Sequence, residues 1–238
     1  MPPFPWDLFL ELVRDVPRGR RSLARDSTEM TSRITPVPAV TGAELIPRCG
    51  SFVVAANHCQ RRGLWIGWPG AVVTAAIASQ RSDGHAVNWL VTGGLRLWQP
   101  GQRGPEIPIT GYLFRRMART YGITALPLTG SARRAAALRS WLRGLDRGEA
   151  LGLFPEGLSG RSGELHPPEP GFDGLSHLLA RRVATILPVA SFEEGGKLHV
   201  RFGAPFPAAS SEDTMKAIAA LLPLSQRGLF GQVHGPLG

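Results

Sequence analysis

Two polar side chains stand at positions from which chemistry could be done. Asn57-His58 closes the apolar run Ser51-Phe-Val-Val-Ala-Ala56, and Glu156 closes the run Leu151-Gly-Leu-Phe154-Pro155. Both runs have the length and composition of buried strands, so each delivers a titratable group at a strand tip. An imidazole titrating near neutrality can take a proton from a reacting group. Beyond Glu156 the chain turns through Gly157, Gly160 and Gly163 and carries Arg161, a cation suited to an anionic ligand. Two strand tips presenting polar groups in the same way imply one pocket.

The elements that must position them alternate in type. Strand signals fall near 34–40, 51–56, 86–91, 123–128, 150–154, 184–191 and 197–203. Helical periodicity falls near 5–16, 63–79, 111–120, 131–147 and 173–181. This order predicts a layered α/β fold with a largely parallel central sheet flanked by helices. In such sheets the site lies beyond the carboxyl ends of strands, where His58 and Glu156 fall. Residues 18–32 are polar and charged and read as a connector, and Gly93–Gly111, dense in Gly and Pro, reads as an insertion. The expected division is an N-terminal helix and connector (1–33), one domain (34–207) and a C-terminal tail (208–238).

Composition narrows the classes. At 238 residues the chain can bury one sizeable core. Its apolar stretches are far shorter than the roughly 20 residues that cross a bilayer, and no secretory leader is readable. Cys49 and Cys59 flank an extended segment, which argues against a bridge and for free thiols in a reducing cytoplasm. The net charge of +9 is uneven: residues 61–161 hold fourteen arginines and five acids, net +9, while the flanking parts nearly cancel. That excess favours phosphates of a coenzyme, a lipid headgroup, an acidic carrier or an anionic leaflet. Arg-rich composition alone explains it equally well. No phosphate loop, nucleophile elbow or metal-ligand spacing is present, and the basic middle lacks the interleaved aromatics of a nucleic-acid binder, so no nucleic-acid partner and no metal are expected.

Taken in order, five segments resemble the glycerolipid acyltransferase family, whose members acylate lysophosphatidic acid. They are Val40–Pro47, Ala56-Asn57-His58, Leu142–Gly148, Phe154-Pro155-Glu156-Gly157 and Ala184–Ala190, so the resemblance spans about residues 35–206. It implies a catalytic role for His58 with Asn57 beside it, and an acceptor-binding role for Phe154, Pro155, Glu156, Gly157 and Arg161. It also implies a fatty acyl thioester donor, either acyl-CoA or acyl carrier protein, and no bound cofactor. The implied acceptor is a lysophospholipid resembling lysophosphatidic acid, and the implied setting is cytoplasmic and peripheral on the inner face of a membrane, in phospholipid biosynthesis.

Two departures stand out. The family places an Asp five residues after the His, where this chain has Gly63. A carboxylate such as Asp83 or Glu106 is then needed from elsewhere to orient the imidazole. The family's second motif ends in an Arg, where this chain has Ala125-Leu-Pro-Leu-Thr129; Arg133 and Arg134, one turn on, are the replacements for its phosphate contact. Loss of the orienting acid leaves a second reading open, a catalytically silent relative (a pseudoenzyme) that binds lipid or an acidic partner.

Overall fold

Strand β2 (Phe52–Ala56) is buried at every residue, which only a central strand covered on both faces can be. The computed structural model describes residues 6–15, 21–59, 66–99, 102–157 and 163–231. Helices α1 (Trp6–Asp15) and α2 (Leu23–Ser32) lead into β1 (Ala39–Thr41) and β2. Then come α3 (Gly67–Gln80), β3 (Asn88–Thr92), a hairpin of β4 (Arg96–Gln99) and β5 (Gln102–Glu106), and α4 (Pro108–Tyr121). After these follow β6 (Thr124–Leu126), α5 (Ser131–Asp146), β7 (Ala150–Leu153) and α6 (Gly171–Arg181). The last elements are β8 (Thr185–Glu194), β9 (Lys197–Phe202), β10 (Phe206–Pro207) and α7 (Ser211–Leu221).

The sheet runs β1-β9-β8-β2-β7-β3-β6, with β10 pairing antiparallel to β8. All neighbours along that path are parallel except β8 and β9, so the molecule is one α/β domain with a mostly parallel mixed sheet flanked by helices. Side chains alternate across β2: Phe52, Val54 and Ala56 join Trp68, Val72 and Ile77 of α3 on one face. Val53 and Ala55 join Trp141, Phe172, Met215 and Ile218 of α5, α6 and α7 on the other. Burying each large apolar side chain contributes roughly 1.5–3 kcal/mol, so helices on both faces are needed to cover such a strand.

Residues 18–32, read as a connector, contain α2. Its N-cap is Ser22, and Leu23 and Met30 pack on the α3 side of the core. The polar composition hid it because its buried acid is satisfied: Asp26 accepts from Arg21 Nε at 2.7 Å and from the Tyr121 hydroxyl at 2.5 Å. The same acid pushes the Tyr121 phenol up after burial has done so. The segment set apart as a tail, 208–238, contains α7, closed by a Ser210–Asp213 capping box, with Met215, Ile218 and Ala219 buried in the common core. The Gly- and Pro-dense stretch at 93–111 holds the β4–β5 hairpin. Cys49 and Cys59 are not joined in a disulfide.

Candidate active site

β2 and β7 are adjacent and parallel, with Ala55 paired to Leu153. His58 and Glu156 each lie three residues beyond that rung, so the two leave the sheet at the same height. The His58 main-chain N–H donates to Glu156 Oε2, and the His166 main-chain N–H donates to Oε1 at 2.8 Å. Glu156 Oε2 also stands 3.8 Å from His58 Nδ1. The carboxylate is fully shielded from solvent. Burial pushes Glu156 up to about 7 against the pull of its two N–H donors. Burial, with His166 nearby, pushes His58 down to about 4. At neutral pH the imidazole is therefore uncharged and competent as a base.

The plane of the imidazole is held by aromatic rings. Phe154 stacks on His58 at 4.3 Å between centroids, and Trp89 stacks on Phe154 at 5.0 Å. Trp89 is fixed in turn by its indole N–H, which donates to Thr74 Oγ1 at 2.9 Å. A side chain at position 152 would meet the Trp89 ring and Val87 Cγ1 within about 2.6 Å, so Gly152 is what lets the indole lie across β7. Gly157 turns at φ +67°, a conformation glycine takes without strain, and its N–H donates to Phe154 O. Pro155 is buried, and its carbonyl accepts from Glu169 N–H at 2.9 Å.

Asn57, named beside His58 as catalytic, spends its amide on β8. Its Nδ2 donates to Ser191 O at 2.9 Å, and its Oδ1 accepts from Ser191 N–H at 2.7 Å. The side chain thus adds a ladder rung past the last paired residue of β2 and sets where His58 begins. Glu156, expected to bind the acceptor, faces inward with both oxygens on the protein's own main chain, so it shapes the site rather than reaching for a ligand. Arg134 donates to Pro127 O at 2.9 Å, and Arg133 is exposed beside it. Both follow β6, two strands beyond β7 and so roughly 10 Å from it across the sheet. The structure does not bring them to His58. Gly63 and Arg161 lie outside the described residues.

Asp83 is no orienter for His58. It pairs with the buried Arg81, which also donates to Gly50 O at 2.9 Å and Gly148 O at 3.0 Å, just before β2 and β7 begin. That is the opposite edge of the sheet, and Arg81 holds Asp83 down to about 2 there. Sequence reasoning missed His166, Ser191, Trp89 and Thr74. The first two act through the main chain, which carries no residue signature, and the other two act through packing. Among the described residues no cluster of His, Cys, Asp and Glu could hold a metal, and no helix is long and apolar enough to cross a membrane.

The class defined by fold and site is a layered α/β domain with a histidine and a carboxylate at the carboxyl edge of a mostly parallel sheet. In fold the chain is similar to the crystal structure of the 1-acyl-sn-glycerophosphate (LPA) acyltransferase PlsC from Thermotoga maritima. The TM-score is 0.53 at 18% identity, over 87% of this chain and 78% of that one, and the likeness is one of fold. No family model matches the chain, and no curated protein matches it in sequence.

Proposed function

We propose that the chain is an O-acyltransferase that moves a fatty acyl group from a thioester, acyl-CoA or acyl carrier protein, to the hydroxyl of a lysophospholipid. The observation that carries this reading is the neutral, ring-stacked His58 at the tip of β2 beside Glu156 of β7, in a fold shared with an acyltransferase. In the proposed step the acceptor hydroxyl oxygen attacks the thioester carbonyl carbon while His58 takes the hydroxyl proton. The tetrahedral intermediate collapses, the carbon–sulfur bond breaks, and the leaving thiolate takes the proton back from the imidazolium. Ester and free thiol result, and the imidazole is restored.

A lipid setting is supported by the surface next to the site. Leu95, Ile109, Tyr112 and Leu113 are exposed, and Arg115 and Arg119 are exposed further along α4. Leu95 N–H donates to Thr110 Oγ1 and Ile107 N–H to Leu95 O, so this apolar patch gathers just past the end of β3, on the edge from which His58 leaves. Apolar side chains backed by arginines suit a peripheral contact with an anionic bilayer.

The test is transfer of a radiolabelled acyl group from acyl-CoA and from acyl carrier protein to lysophosphatidic acid, with wild type and His58→Ala. Transfer by wild type and loss of at least 10²-fold in the variant are expected. A wild type that is inert with every donor and acceptor while it still binds lysophospholipid would favour the silent lipid-binding relative. Activity that survives His58→Ala would place the chemistry elsewhere.

A further inference from the structure

His58 lacks a carboxylate on its own loop. Residues 59–65 are Cys, Gln, Arg, Arg, Gly, Leu and Trp, and none of them can accept a proton from Nδ1 with a charge. Nδ1 is nevertheless buried, and among the described residues it has no hydrogen-bond partner. The carboxylate within 4 Å of it is Glu156, whose Oε2 stands 3.8 Å away. Glu156 is itself immobilised, since its two oxygens accept the His58 and His166 N–H groups and its side chain has no exposed surface. The separation is longer than a hydrogen bond. Such contacts are commonly long in the unliganded site and tighten when substrate is held.

We propose that Glu156, delivered from the neighbouring strand, is the positioning residue for His58: as a carboxylate it accepts the Nδ1 proton and leaves Nε2 bare to act as the base. The effect on the reaction rests on the acyl-transfer reading; the pairing itself does not. A buried acid of this kind works in two senses. Ionised, it accepts from Nδ1–H and favours the tautomer with a free Nε2. Protonated, it can donate to Nδ1 and forces the proton onto Nε2, where the ring is useless as a base toward a hydroxyl. Burial places Glu156 near neutrality, so the exchange falls within the physiological range. Among the described residues, the titratable groups beside the pair are His166, Cys59, which follows His58, and Glu169, which packs over Gly157.

The experiment is a long-range proton–nitrogen NMR titration of uniformly nitrogen-15-labelled protein from pH 5.5 to 8.5, with the His58 ring assigned by its loss in His58→Gln. The expected result is a neutral ring throughout that changes from protonated Nε2 to protonated Nδ1 with a midpoint near 7. In Glu156→Gln the change should be absent, and kcat should fall roughly 10²- to 10⁴-fold at unchanged KM. Glu156→Asp should restore part of both. A wild-type tautomer that is indifferent to pH, or an unaltered profile in Glu156→Gln, would overturn the proposal and leave Glu156 as a clamp on two main-chain amides. Should Glu156→Gln fail to fold, the wild-type titration decides alone. Coupling of the tautomer to a carboxyl titration in a protein that transfers no acyl group would support the pairing while refuting the acyltransferase reading.

Discussion

Removing either partner of the His58–Glu156 pair should expose the pH dependence that the other now hides. Glu156 holds its proton to about 7 in the folded chain, against an ordinary 4.5. Its contribution is therefore fully present below about pH 4.5 and is lost as pH rises through 7. His58 gives up its proton near 4 when folded, against an ordinary 6.5. Its contribution is present above about pH 6.5 and is lost as pH falls through 4. Each displacement corresponds to about 3 kcal/mol, and both groups are buried well enough for that figure to need little discount for screening. Neither shift owes its size to the other side chain, because burial is the leading cause of both and Glu156 draws its hydrogen bonds from main-chain N–H groups. In wild type the two slopes oppose one another between pH 4.5 and 6.5 and largely cancel. Glu156→Gln should then gain about 3 kcal/mol of stability, relative to wild type, on going from pH 4.5 to 7. His58→Gln should lose a similar amount, relative to wild type, from pH 4 to 6.5. Urea unfolding followed by tryptophan fluorescence, in half-unit steps of pH, gives both difference curves. Two variants whose stability runs parallel to wild type over this range would refute the reasoning, as would slopes of the same sign.

Asn57→Ala removes two hydrogen bonds and leaves the buried N–H and C=O of Ser191 unpaired, so a loss of about 2–4 kcal/mol is expected in the same urea assay; a loss below about 0.5 kcal/mol would show that the rung beyond β2 is dispensable. Binding to phosphatidylglycerol vesicles, measured by sedimentation, should fall steeply as salt approaches 1 M, where screening shortens to about 3 Å, and Ile109→Asp with Leu113→Asp should weaken it roughly tenfold at low salt. Salt-independent binding that the double variant leaves intact would remove the α4 surface from the lipid reading.

The central strands were legible because a strand buried on both faces must be apolar without interruption, and residues 52–56 and 150–153 are. Their order with the helices between them was enough to indicate a parallel sheet and a site at its carboxyl edge. What escaped was whatever depends on partners distant in sequence. Asn57 reads as a companion of His58 until Ser191 is seen across the strand gap, and Arg133 and Arg134 read as ligands until β3 is found between β7 and β6. Helix α2 escaped for a different reason. Its polar residues look solvated in sequence, yet Asp26 is paired inside the fold, and pairing removes the penalty on which a composition-based reading relies. The inward turn of Glu156 was equally hidden, since a strand-tip acid in a glycine-rich loop has the same sequence whether it faces solvent or its neighbour's main chain.

The equal overhang of His58 and Glu156 beyond the Ala55–Leu153 rung has a consequence for how this chain can change over time. The two groups meet because two short stubs of three residues are in step; of the long excursion between them, α3 and β3 supply Thr74 and Trp89 behind the Phe154 ring, whereas the β4–β5 hairpin supplies none of the ring and main-chain contacts that hold the pair. Lineages could lengthen, shorten or replace the hairpin without moving the pair. A single residue gained or lost between Ala56 and His58, or between Leu153 and Glu156, would put the imidazole and the carboxylate out of phase. Tolerance to indels should therefore be sharply uneven along the chain, and a library of random one-residue insertions would map the two stubs as narrow intolerant windows and the β4–β5 hairpin between them as permissive.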